Sequence, residues 1–256
     1  MRHYPTRLAR TALWSRRLAL FAAGVVAMGL AFARIGAIQP TQGLIVSAAG
    51  FVLAAIALVL ALAAYLDIWR TGAVGMAGAN TGFVLALALL TYPGWQISRA
   101  YSLPAIHDIS TDLKDPPAFS RARGALAARN GHVPGDSAPD VRDQQRRAYV
   151  DLQPVTLELG PDEAFDLVIE VLKELKWQVI DQSPPSARSG QGRVDAIDRT
   201  PILKFADDIT IRIRPLANQT RIDIRSVSRS GRHDLGANAA RIRRFSETLT
   251  DFSKGT

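Results

Sequence analysis

Asp207–Arg229 reads DDITIRIRPLANQTRIDIRSVSR, and this stretch decides the fold of the polar part of the chain. Apolar and polar residues alternate in two runs, Asp208–Arg214 and Thr220–Arg229, with Pro215–Gln219 turning between them. Side chains of a strand alternate between its faces with period 2, so each run reads as a half-buried strand. One register pairs Ile213 with Ile222, Ile211 with Ile224, Ile209 with Ser226 and Asp207 with Ser228, all on one face. The same register sets Arg212 opposite Asp223 on the other face, a favourable cross-strand pair. Both faces are satisfied at once, which predicts an antiparallel hairpin.

Working outward, Val155–Leu159 reads as a short strand. Pro161–Lys176 predicts an amphipathic helix, with Phe165, Val168, Ile169, Leu172 and Leu175 on one stripe. Pro161 suits its first position, and Asp162 and Glu163 suit the positive end of its dipole. Trp177–Asp181 reads as a strand and Ser183–Arg193 as a loop. Val194–Phe205 reads as an extended segment broken at Pro201. After the hairpin, Asp234 is a candidate N-cap for a helix over Leu235–Phe252, whose buried stripe is Ile242, Phe245, Leu249 and Phe252. Strands joined by short turns imply an antiparallel sheet, with the two helices covering one face. Residues 154–256 therefore read as an α+β domain.

The first hundred residues differ in kind. They hold eight of the 31 Lys+Arg and one acidic residue, Asp67, for a net charge of +7; the remainder of the chain is nearly neutral at +1. The high pI of 10.3 thus belongs to the N-terminal part, and no nucleic-acid partner is expected from it. Three apolar runs, 18–38, 44–66 and 73–92, are read as transmembrane helices within a region 1–99. The second, 23 residues and uncharged, gives about 34 Å at 1.5 Å per residue, enough for the hydrocarbon core. Five arginines (Arg2, Arg7, Arg10, Arg16 and Arg17) precede the first run, whereas the two loops carry Arg34 and Arg70. This bias places the N-terminus on the cytoplasmic side and, after three crossings, the polar domain outside. A cleavable signal peptide ending near Ala31-Phe32-Ala33 is the rival reading of the first run, with the domain on the same side. Gly78 and Gly82 in the third run let helices approach closely, within the bundle or across a homo-oligomer seam, and Asn80 needs a partner on a facing helix. Tyr92 and Trp95 suit an interfacial belt, with Pro93-Gly94 ending the helix.

Residues 100–153 show no sustained period and read as a tether with few regular elements. Its segment Ile106–Phe119 (IHDISTDLKDPPAF) contains His107, Asp108 and Asp112. These are weak metal candidates, because their spacing matches no ligand pattern, and the Asp and Pro residues read more simply as turn formers. The chain has no Cys, which excludes disulfides, thiolate metal sites and Cys nucleophiles. No P-loop, dinucleotide fingerprint, HExxH or EF-hand loop is present, and no cofactor is expected.

The candidate site lies at one end of the inner sheet face. Arg241 stands four residues before Phe245, flanking the buried stripe, so the last helix should lay it over Asp207, Ser226 and Ser228. Two readings stand: a buried Arg–Asp pair that fixes the helix on the sheet, or a pocket reading a carboxylate or phosphate. Ser228, Ser230, His233 and Asp234 contain the residue types of a hydrolase triad. They crowd one turn, and the chain lacks a nucleophile elbow, so the triad is rejected. Arg225, Arg229, Arg232, Arg243 and Arg244 read either as a solvated face or as a patch for anionic lipid.

LKFADDITIRIRP, then TRIDIRSVSRSGRHDLGANAARIRRF, resembles the domain-of-unknown-function family 1499, whose pattern is F-x-D-D, then R-S-x-S-R, then D-L-G-x-N-x-x-R-I. The matched positions are Asp207, Asp208, Arg225, Ser226, Ser228, Arg229, Asp234, Leu235, Gly236, Asn238 and Arg241. The resemblance covers roughly residues 105–254, and IHDISTDLKDPPAF is similar to the family's leading element. Many relatives carry a Cys-containing segment before the domain, which this chain lacks. The resemblance implies a membrane-anchored member from a Gram-negative bacterium and no established activity. The reading is a multi-pass inner-membrane protein presenting a periplasmic domain that binds a ligand or partner without catalysis. The alternatives are an envelope hydrolase or transferase acting at the Asp207/Arg241 end, and a scaffold of a membrane complex.

Overall fold

The computed structural model describes residues 7–186 and 190–255. Arg2 of the basic leader and the middle of the Ser183–Arg193 loop lie outside the described residues. The chain forms two compact units. One takes in the chain up to Ser98 together with Pro201–Lys204, and the other comprises Arg99–Thr200 and resumes at Phe205.

The first unit is built from α1 (Arg10–Arg34), α2 (Pro40–Thr71) and α3 (Met76–Ser102), each long and apolar enough to cross a membrane. Pro40 opens α2 and Gly72, at φ +67°, closes it in the left-handed conformation. The facing surfaces carry small residues. A Cβ on Gly43 would fall 2.5 Å from Ala33, and one on Gly50 2.5 Å from Val26. Ser15 donates to the carbonyl of Ala57 at 2.8 Å. Gly78 and Gly82 lie against Ala12 and Ser15 of α1, so the face considered for a homo-oligomer seam is filled from within the chain. Asn80 finds its partner on a facing helix, accepting from the Tyr65 hydroxyl at 2.9 Å. Pro93, expected to end the third helix, lies inside it. A proline removes one backbone donor, which an apolar helix tolerates when its neighbours compensate.

The second unit holds a six-stranded sheet: β1 (Asp108–Ser110), β2 (Val155–Leu157), β3 (Gln178–Ser183), β4 (Gly192–Arg199), β5 (Ala206–Pro215) and β6 (Thr220–Ser228). The order is β1-β6-β5-β4-β3, with β2 also beside β6, and every pairing is antiparallel. The β5–β6 register is the one expected from sequence, from Asp207 opposite Ser228 to Ile213 opposite Ile222, with Arg212 opposite Asp223. Two amphipathic helices, α6 (Pro161–Glu174) and α7 (Ala237–Gly255), cover the inner face. Their Val168, Leu172, Ile242, Phe245 and Leu249 share one core with Ile209, Ile211, Ile213, Ile222 and Ile224.

Residues 100–153 depart from the expected tether. They belong to the second unit and supply β1 and the helices α4 (Arg123–Ala128) and α5 (Pro139–Ala148). Ile106, Ile109, Tyr149 and Leu152 enter the core. The segment lacks a period because individual polar bonds to the sheet place it, rather than an apolar stripe. Asp112, for example, accepts from the backbone N–H groups of Lys114 and Asp115 in a local turn, while its carboxylate also faces arginines of β5 and β6.

Candidate functional site

Arg241 projects from the second turn of α7 onto the inner face, where β5 and β6 bring Asp207, Ser226 and Ser228 together. Its Nη2 meets Asp207 at 2.5 Å, its Nε donates to Asp198 at 2.8 Å, and its Nη1 donates to Ser226 at 3.1 Å and Asn238 at 2.6 Å. Ser226 donates to Asn238 Oδ1 at 2.8 Å, and Asn238 Nδ2 donates to Ser228 Oγ at 3.0 Å. The four expected residues thus do meet, with Asp198 and Asn238 added. Asp207 and Arg241 are only 3% and 8% exposed. Burial pushes the Asp207 carboxyl above the usual carboxylate range. Arg241 and Ser228 pull it down, and Asp198 raises it further.

The same stretch grips residues 99–108, the start of the second unit. Asp234 caps α7, accepting from the backbone of Gly236 and Asn238 at 2.8 Å each, while its own N–H donates to the carbonyl of Ile106 at 3.1 Å. The carbonyl of His107 accepts from the backbone of Ser228 and from Asn238 Nδ2, both at 2.9 Å. His233 Nε2 lies 3.3 Å from the carbonyl of Ala100. Gly236 stands at φ +76°, and a Cβ there would fall 2.8 Å from Leu103 and 3.0 Å from Arg99. The motif positions Ser228, Asp234, Gly236 and Asn238 therefore act together as a socket for residues 99–108.

The outer face holds a second cluster that sequence reasoning missed. Arg129, from the end of α4, is fully buried; its Nη2 meets Asp195 at 2.7 Å and its Nε meets Asp208 at 3.2 Å. Asp195 also accepts from the backbone of Ser120 and from Thr210. Arg229 completes Asp208, at 2.8 and 3.0 Å. Arg225 makes a two-pronged contact with Asp108, at 3.0 and 2.7 Å. Phe119 lies between Arg129 and Arg225, with both guanidinium carbons within 5.3 Å of its ring centre. The available signal was the charge alternation on the supposed wet face of DITIRIR and TRIDIRSVSR, together with a family resemblance that begins near residue 105.

These placements correct several expectations. Arg225 and Arg229 belong to internal ion pairs rather than to a lipid-facing patch, and Arg243 pairs with exposed Asp151 at 2.5 and 3.0 Å. Asp108 is committed to Arg225. Asp112 is held below the usual carboxylate range: burial opposes ionisation, and the N–H groups of Asp115 and Lys114, then Arg221 and Arg212, outweigh it. Among the described residues no group of three or more His, Asp or Glu side chains is arranged to hold a metal ion, and the structure does not bring His107, Asp108 and Asp112 together as one. His233 Nδ1 accepts from the backbone of Leu235 and Asp234 is spent on the helix cap, so the Ser228–Asp234 turn is structural. Two open depressions, of about 670 and 560 Å³, lie along α6 and at the β5–β6 turn. Neither is lined by Asp207, Ser226, Ser228 or Arg241.

A family model described as "Protein of unknown function (DUF1499)" matches residues 108–249, more than half of the chain. No curated protein matches the chain significantly. Among solved structures, the vertebrate conserved region of human METTL16 is similar at 10% identity and a TM-score of 0.28, over 41% of this chain and 100% of that one. A likeness that slight has no bearing on the fold.

Proposed function

The chain belongs to the DUF1499 family of proteins of unknown function, and on that premise we propose that it is a multi-pass inner-membrane protein presenting a non-catalytic, partner-binding domain in the periplasm. One observation carries the non-catalytic part. The most distinctive side chain of the domain, Arg241, has each of its three nitrogens bonded to a protein acceptor and almost no exposed surface. A catalytic or ligand-reading arginine needs an open face, and this one holds α7 on the sheet. Orientation is supported by the arginine-rich leader set against the single arginines Arg34 and Arg70.

Native mass spectrometry of the full chain in detergent, with wild type and Arg241→Gln compared, tests the reading. We expect no bound small molecule that depends on Arg241, and a variant that melts earlier. A ligand lost from Arg241→Gln at unchanged stability would turn the reading toward a binding or catalytic site. Alkaline phosphatase fused after the last residue should be active. A fluorescent but phosphatase-negative pair of fusions would place the domain in the cytoplasm.

A further inference from the structure

The outer face carries an arrangement that neither fold nor anchoring requires. Arg214 of β5 and Arg221 of β6 are direct cross-strand partners. Like charges set opposite each other destabilise a strand pair, and Arg212 adds a third guanidinium beside them. Fully buried Asp223 lies beneath all three, at 3.0 Å from Arg212, 2.9 Å from Arg214 and 2.8 Å from Arg221. The turn after β1 supplies the other counter-charges. Asp112 lies 2.8 Å from Arg221, 3.2 Å from Arg214 and 3.5 Å from Arg212, and Asp115 lies 2.8 Å from Arg212 and 3.7 Å from Arg214. A fourth guanidinium, Arg142 of α5, reaches the same turn through the carbonyl of Leu113 at 3.5 Å, and its buried Nε has no partner. Four cations thus surround three carboxylates.

The three carboxylates are held unequally. Asp223 is enclosed, and Asp112 is anchored by two backbone N–H groups as well as by arginines. The Asp115 side chain is 69% exposed, and Arg214 and Arg221 are themselves open to water at 25% and 31%. An ion pair that exposed contributes little, because water competes for both partners.

We propose that Arg214 and Arg221, with the Nη1 of Arg212, form a binding site for a phosphate group, free or as the monoester of a headgroup, and that the Asp115 carboxylate occupies the site when it is empty, while Arg212 Nη2 stays bonded to the Asp115 backbone carbonyl at 2.8 Å. Guanidinium forks match the oxygens of phosphate in pairs. Asp115 leaves by swinging into water, while Asp112 and Asp223 stay in place to space the arginines. The site is independent of the partner-binding reading above, since it uses none of the residues around Arg241.

Titration calorimetry of the full chain in a neutral detergent, at fixed ionic strength, tests the proposal with inorganic phosphate and with glycerol 3-phosphate as a headgroup probe. Both should bind saturably. Asp115→Asn should tighten binding about three- to five-fold, the gain expected when a weak competing pair is removed. Arg214→Gln/Arg221→Gln should weaken binding at least about tenfold, the loss expected when two charge-assisted bonds go. Tighter binding of glycerol 3-phosphate points to a headgroup, and equal or weaker binding to free phosphate. No saturable heat with either wild type or Asp115→Asn overturns the proposal. So does weaker binding by Asp115→Asn, or an affinity unmoved by the double change. Should the double variant fail to fold, Arg214→Lys/Arg221→Lys keeps the charge and removes the forks, and unaltered phosphate affinity in it would also overturn the site.

Discussion

The inner face of the sheet buries five isoleucines under α6 and α7; the outer face, under residues of the 111–137 segment, buries Asp195, Asp208, Thr210, Asp223 and Arg225 to the same degree. The two coverings differ accordingly. An apolar face accepts any cover of suitable shape, so two regular amphipathic helices suffice. A face of carboxylates and guanidiniums must have each group met individually, since a buried charge without a partner is costly. The outer cover is therefore irregular: Arg129 caps a helix of six residues, and Phe119 and the backbone N–H of Ser120 come from the stretch before it, which forms no regular element. Irregular sequence over a charged sheet face can be as fully built in as a helix.

The comparison is broken most directly at Arg129. Arg129→Met leaves Asp195 and Asp208 buried, with Asp195 short of its closest cation, and should cost about 3–5 kcal/mol in denaturant melts. Adding Asp195→Asn should recover part of that loss, because Asp208 keeps Arg229 and no buried carboxylate is then without a close cation. A single variant that melts like wild type would mean that the outer cover is not part of the folded core. Ile211→Val, which trims one methyl group from the inner face, should cost about 0.5–1.5 kcal/mol.

The faces also differ in their response to acid. Asp207 on the inner face has its pKa raised in the folded state. Its protonation favours the fold, so the stability of wild type relative to Asp207→Asn should rise as pH falls from 7 through its folded pKa towards 3.8. Asp112 on the outer side has its pKa lowered. The advantage of wild type over Asp112→Asn should be complete above pH 3.8 and disappear as pH falls through the folded value. Thermal melts of the three proteins between pH 3 and 7 would show the two differences moving in opposite directions. The smallest effect belongs to neither face: Arg146→Ala removes an exposed i,i+3 pair with Asp143 and should cost under about 0.5 kcal/mol.

What could be read from sequence follows the same division. Period-2 isoleucines set the β5–β6 register, and the 3.6-period stripes of α6 and α7 set the helices, because apolar burial leaves a repeating trace. The meeting of Arg241 with Asp207 followed from placing a helix over a known face. Asp198 is not assigned to that cluster from sequence, because β4 reads there as a broken extended segment and offers no register of its own; Asn238 stands among the motif positions, but at the first turn of α7 it lies outside the apolar stripe. Arg129 left no trace at all. Its partners Asp195 and Asp208 are 66 and 79 residues away, and a single arginine after RGALAA carries no period. Nothing in the spacing of 111–137 distinguishes residues that reach a sheet from residues that reach water.

Gln145 of α5 has a consequence for how this chain meets its neighbours. Its amide accepts from the backbone N–H of Ser110 at 3.1 Å and donates to the carbonyl of the same residue at 2.6 Å. These are the outward-facing groups of β1, and a side-chain amide meets them as the next strand of a sheet would. The β1 part of the margin beside β6 is thereby sealed against strand addition by another chain, and the opposite margin of the sheet is β3. There the run bears Asp181, tied to Arg193 at 3.4 Å, and the register is broken between Val179 and Asp181. A charge and a bulge are among the devices that discourage edge-to-edge aggregation. Both features disfavour pairing of the β3 edge with the sheet of another copy.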